Sequence, residues 1–123
     1  MAPNPALAVH GALARGVFAV VVLVSLAVLF APASDVPSAP AGVDKLVHLG
    51  LFAALASSGR WAGTGARALA VLLIAYAAVS EVVQGLSALG RSMSLADWAA
   101  DAVGVLLGLA LWALAERRTP APH

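Results

Sequence analysis

The chain has 123 residues, 62% of them hydrophobic and 11% charged, with a mean hydropathy of +0.95. An ordinary soluble domain carries about 25% charged residues, so that class is excluded, as is a disordered chain, which needs low hydrophobicity. A net charge of +1 gives no footprint for nucleic acid, and a chain with no cysteine has no disulfide, thiolate metal site or thiol nucleophile.

What remains is a small integral membrane protein. A helix needs about 20 apolar residues to cross the hydrocarbon layer. The first predicted span covers residues 11–31, and Pro32, Pro37 and Pro40 mark the loop after it. The second, 44–59, is short and ends in Gly59-Arg60-Trp61-Ala62-Gly63-Thr64-Gly65, which reads as a turn with an interfacial Trp. The third covers 66–86, and a loop with Gly90 and Arg91 follows. The fourth covers 95–115, before a polar tail. Short connections imply an antiparallel four-transmembrane-helix bundle. The expected fold is therefore all-α and polytopic, with residues 1–123 as a single domain. A rival reading takes Arg15, the following apolar run and Ala31-Pro32-Ala33 as a cleaved signal peptide.

The basic residues are asymmetric. In a four-span chain Arg15, Arg60, Arg67, Arg117 and Arg118 fall on one side, and Lys45 and Arg91 on the other. The positive-inside rule then predicts that both termini are cytoplasmic. Of the acids, Glu116 alone shares the arginine-rich side.

Polar residues within the spans gather at the opposite end. Asp44 is placed to cap the second helix, and His48 lies one turn further on the same face. That spacing fits an Asp–His pair beside a cation, Lys45. The structural alternative is a cap, a snorkelling lysine and an interfacial histidine. Glu81 and Gln84 share a face of the third helix, with Glu81 roughly 7 Å below its end. An ionisable group there faces the interior, pairs or takes a proton; alternatively Glu81 and Gln84 simply bridge helices. Asp97, Asp101, Gly104 and Gly108 form one stripe on the fourth helix. The two glycines permit close helix contact, so the acids lie on a packed face. Pairing of Arg91 with Asp97 or Glu81 is the plain structural account.

The order Asp44-Lys45-x-x-His48-x-x-x-Phe52, Glu81-x-x-Gln84, and Arg91-Ser92-x-Ser94-x-x-Asp97-x-x-x-Asp101-x-x-Gly104-x-x-x-Gly108 resembles the VanZ-like family of small membrane proteins over residues 44–108. Its named member is associated with resistance to teicoplanin, a glycopeptide that binds peptidoglycan precursors outside the membrane. The family often has Asn at the position of Asp101 and an aromatic at that of Leu49. The resemblance implies a multi-pass protein of the bacterial cytoplasmic membrane, within the lipid bilayer. It also implies a cell-envelope lipid or peptidoglycan precursor as ligand at the outer face, and an effect on glycopeptide susceptibility. The ligand-binding residues would be Asp44, Lys45, His48, Glu81, Gln84, Arg91, Asp97 and Asp101.

Two other classes compete with binding. One is an intramembrane enzyme on a lipid-linked substrate, with His48, Glu81 and Asp97 as the candidate catalytic groups and Asp44 orienting His48. In that reading Glu81, Asp97 and Asp101 are the oxygen ligands for a divalent ion. The other is a structural or accessory bundle, or a small proton-coupled transport subunit, since buried acids also mark proton routes. No cofactor or metal site is expected outright, and the small-residue faces of helices three and four fit packing within or between chains.

Overall fold

Proline and glycine set where the helices stop. The computed structural model of the protein describes residues 4–32, 42–86 and 94–118. A short 3-10 turn, Pro5–Leu7, leads into helices α1 (Ala12–Leu29), α2 (Val43–Trp61), α3 (Ala66–Gln84) and α4 (Leu95–Arg118). The described residues are thus all-helical, and each helix begins and ends close to its expected bounds.

Local chemistry explains the ends. α1 stops just before Pro32, whose ring disfavours helix in the residue ahead of it. α2 starts from Gly42, which adopts φ 90°, a left-handed conformation that costs glycine little. This corrects the expectation that Asp44 caps the helix. Asp44 lies inside the first turn, where the positive end of the helix dipole favours a carboxylate. The turn after α2 is shorter than the expected seven-residue stretch, because Gly59, Arg60 and Trp61 are still helical. Gly63 closes it at φ 100°, with the Gly63 N–H donating to the Arg60 carbonyl (2.9 Å) and the Thr64 N–H to the Gly59 carbonyl (3.0 Å). That pattern is a Schellman cap. Ser94 caps α4, its hydroxyl accepting the Asp97 N–H at 3.1 Å.

α2 touches each of the other three helices and packs most extensively on α4. Phe52, Leu55 and Ala56 of α2 meet Leu69, Leu73 and Ala77 of α3, Val105 of α4 and Leu29 of α1 in the core. Gly104 and Gly108 lie against α2. A Cβ on Gly104 would collide with the Leu49 carbonyl, and one on Gly108 with the Ala53 carbonyl and the Ala56 methyl. The Gly-x-x-x-Gly face is therefore used within the chain. Since residues 104 and 108 meet 49 and 53 in the same order, α2 and α4 run parallel.

The exterior is apolar. Leu23 on α1, Leu46 on α2, Val71 and Leu72 on α3, and Leu106 and Leu111 on α4 all stand exposed. Water disfavours such a surface, and hydrocarbon accepts it. α1, α3 and α4 are each long and apolar enough to cross a membrane, which marks a membrane protein. α2 has comparable length but carries Asp44 and Lys45 at one end and Arg60 at the other. Packing and interhelical hydrogen bonds hold helices together in lipid, where the hydrophobic drive between them is lost. Two such bonds tie α1 to α3: the Ser25 and Tyr76 hydroxyls are 2.8 Å apart, and Gln84 Nε2 donates to the Leu29 carbonyl at 2.8 Å.

Candidate functional site

The beginnings of α2 and α4 and the end of α3 meet at one end of the molecule, and the polar side chains of the spans meet there. His48 sits on the buried face of α2, one turn ahead of Phe52. Its Nδ1 lies 2.7 Å from Asp101 Oδ1 on α4. Both side chains are fully enclosed, at 3% and 0% exposure. The expected partner, Asp44, instead points outward from the first turn of α2 and contacts Lys45 Nζ at 3.4 Å. Helical spacing put Asp44 and His48 on neighbouring positions, but the close packing of α4 turns His48 to Asp101.

Asp97 stands one turn before Asp101 and takes two contacts. Lys45 Nζ donates to its Oδ1 at 3.1 Å, and its Oδ2 lies 4.0 Å from His48 Nε2. Lys45 is half-exposed and forms the rim of the cluster. Glu81 reaches in from α3. Its Oε2 accepts the Ser94 backbone N–H at 3.0 Å, which couples the end of α3 to the start of α4. Its Oε1 is buried without a hydrogen-bond partner among the described residues, as are Asp101 Oδ2 and the Trp98 indole nitrogen.

The sequence-predicted residues therefore divide. Lys45, His48, Glu81, Asp97 and Asp101 converge. Asp44 reaches the group only through Lys45. Gln84 is buried, but its amide serves the end of α1 by donating to the Leu29 carbonyl, one of the orphan acceptors that every helix C-terminus leaves. Arg91 lies outside the described residues. Sequence reasoning passed over Ser94 as a site residue, although Ser94-x-x-Asp97 at a helix start is a capping signal. It also passed over Trp98.

The opposite end has a different chemistry. Arg60 Nη1 donates to the Thr64 carbonyl at 2.7 Å, and Arg60 Nη2 lies 3.7 Å from Glu116 Oε1. Trp112 Nε1 donates to the same Glu116 oxygen at 2.8 Å, and Trp61 Nε1 to the Leu7 carbonyl at 2.8 Å. These contacts clamp the helix ends and the N-terminal segment.

No family model, curated protein or solved structure matches this chain. The chemistry of the cluster is that of its own residues. One imidazole has a ring nitrogen held by a buried carboxylate. Two further carboxylates flank it, and one ammonium stands at the mouth. Such a set can bind a polar head group, move a proton or hold a cation.

Proposed function

We propose that this chain is a multi-pass protein of the bacterial cytoplasmic membrane, of the VanZ-like kind, with all four helices crossing as an antiparallel bundle and both termini in the cytoplasm. Its polar cluster binds the head group of a cell-envelope lipid or lipid-linked peptidoglycan precursor at the outer face. The observation that carries this reading is the meeting of Lys45, His48, Glu81, Asp97 and Asp101 at one end of otherwise apolar helices, with the Lys45 ammonium half-exposed at the rim. Ionisable groups in that setting mark ligand or ion sites. A lysine at the rim suits a phosphate, and the buried carboxylates suit sugar hydroxyls and amides. The arginines at the other end support the orientation.

Purified protein in detergent, titrated with a polyprenyl-diphosphate-linked peptidoglycan precursor, tests this. Saturable binding is expected, weakened severalfold in Lys45→Ala, together with altered teicoplanin susceptibility when the protein is removed from cells. No binding and unchanged susceptibility would overturn it.

The His48–Asp101 pair favours a second reading, in which His48 is an intramembrane general base whose ring Asp101 orients. Turnover of the same precursor, lost in His48→Ala while binding persists, would establish it in place of simple binding.

A further inference from the structure

The cluster holds more negative than positive charge. Three carboxylates, Glu81, Asp97 and Asp101, face one imidazole and one ammonium among the described residues. Lys45 is 45% exposed and divides its contacts between Asp97 Oδ1 and Asp44 Oδ2. Glu81 is 3% exposed and Asp101 0%, and each has an oxygen with no hydrogen-bond partner among the described residues. Buried carboxylate oxygens without partners are costly in protein and more so in a membrane.

The donors are arranged in a repeated way. Each of three side chains is held by one atom and leaves another. Glu81 is held through Oε2 by the Ser94 N–H, which leaves Oε1. Asp97 is held through Oδ1 by Lys45, which leaves Oδ2. His48 is held through Nδ1 by Asp101, which leaves Nε2, 4.0 Å from Asp97 Oδ2. One donor atom from each of His48, Glu81 and Asp97 lies within 4.8 Å of the other two. Ligands bound at about 2.1 Å in a tetrahedron are about 3.4 Å apart, so a contraction of up to about 1.4 Å, shared between two acidic side chains, would close the set.

We propose that His48, Glu81 and Asp97 form a site for a first-row divalent transition-metal ion, with Asp101 positioning the His48 ring. The carboxylate on the far ring nitrogen is the usual outer partner of a metal-bound histidine. It fixes the tautomer and makes the ligand more basic. The ligand set differs from the all-oxygen group of the enzyme alternative, because Asp101 turns to His48 and imidazole takes its place. One nitrogen and two carboxylate oxygens suit Zn2+, Mn2+ or Fe2+. They do not suit Cu+, which wants sulfur, and they suit Mg2+ poorly, since that ion prefers oxygen and water. Three protein ligands also leave a coordination position open. That position fits a head-group phosphate oxygen, an extension that rests on the envelope-lipid reading. The metal site itself does not.

The test uses full-length protein in detergent with a histidine-free affinity tag. Zn2+ is titrated in competition with a chromophoric chelator, and Co2+ binding is followed by its visible absorption. One Zn2+ per chain is expected, undisturbed by equimolar Mg2+, and Co2+ should give a spectrum distinct from that of the aqueous ion. Glu81→Gln and Asp97→Asn, which keep size and helicity, should each weaken Zn2+ by at least about tenfold, and Asp101→Asn by about 10- to 100-fold with a shifted Co2+ spectrum. His10→Ala, at the far end, should change nothing. An unperturbed Co2+ spectrum with wild-type protein, or Zn2+ affinity that survives Glu81→Gln and Asp97→Asn, would overturn the site. Metal binding without precursor binding would leave the site standing and remove the envelope-lipid reading; the converse result would do the reverse.

Discussion

At the scale of single residues, His48 is defined by a partner 53 positions away. An imidazole enclosed beside an enclosed carboxylate is stable as a pair and poor as either half alone. Removing one partner of a buried pair in soluble proteins costs about 3–5 kcal/mol, because the other is left without compensation. Asp101→Ala should therefore destabilise the protein by roughly 3 kcal/mol. Asp101→Ala with His48→Ala should cost much less than the two single losses added together. A double-mutant cycle on unfolding in mixed micelles checks this, and additive losses would show that the two groups do not interact. The same pair shows what a sequence conceals at this scale. Asp44 and His48 are one turn apart on one helix, and that spacing is visible in the letters. Which residue of another helix will fill the space beside His48 depends on how closely that helix approaches. Gln84 teaches the same lesson. Its place on the Glu81 face was legible, but its bond to the Leu29 carbonyl was not, because Leu29 belongs to α1.

At the scale of elements, the α2–α4 contact positions the site. Gly104 and Gly108 let α4 approach until its backbone meets the Leu49 and Ala53 carbonyls of α2, and this brings Asp101 to His48 one turn earlier. Gly104→Leu should push the helices apart and separate that pair. The expected result is a stability loss of at least about 1–3 kcal/mol, the usual cost of overpacking, and loss of the coupling between His48 and Asp101 in the double-mutant cycle. A coupling that survives Gly104→Leu would mean that the glycines do not set the approach. Gly63 tests a second element boundary. An alanine there would have to adopt φ 100° and would strike the His10 ring, so Gly63→Ala should cost about 1–2 kcal/mol, whereas Thr64→Ala should be close to neutral. Thermal unfolding of the two variants checks the contrast. The helices themselves were legible, since long apolar runs punctuated by Pro and Gly leave few choices, and so was the Gly-x-x-x-Gly stripe. That its partner is the parallel α2 was not, because a small-residue face carries no record of what it packs against.

At the scale of the whole molecule, charge is segregated by end. Arg60 and Glu116 pair at one end, close to Thr64 and Trp112, while His48, Glu81, Asp97 and Asp101 meet at the other. This segregation was readable from the sequence, because alternating spans carry every second boundary to the same side. Which side faces the outside is a separate matter that labelling decides. The chain has no cysteine, so a single introduced thiol reports one position. Leu86→Cys places it on an exposed residue just beyond α3, at the carboxylate end, and Thr64→Cys places it in the turn at the arginine end. With a membrane-impermeant maleimide on intact cells, Leu86→Cys should label and Thr64→Cys should label only after permeabilisation. That outcome puts the cluster where envelope precursors and external glycopeptides are found. The reverse outcome would remove both ligands from consideration and leave a cytoplasmic-side site whose metal chemistry, tested on purified protein, would stand or fall independently.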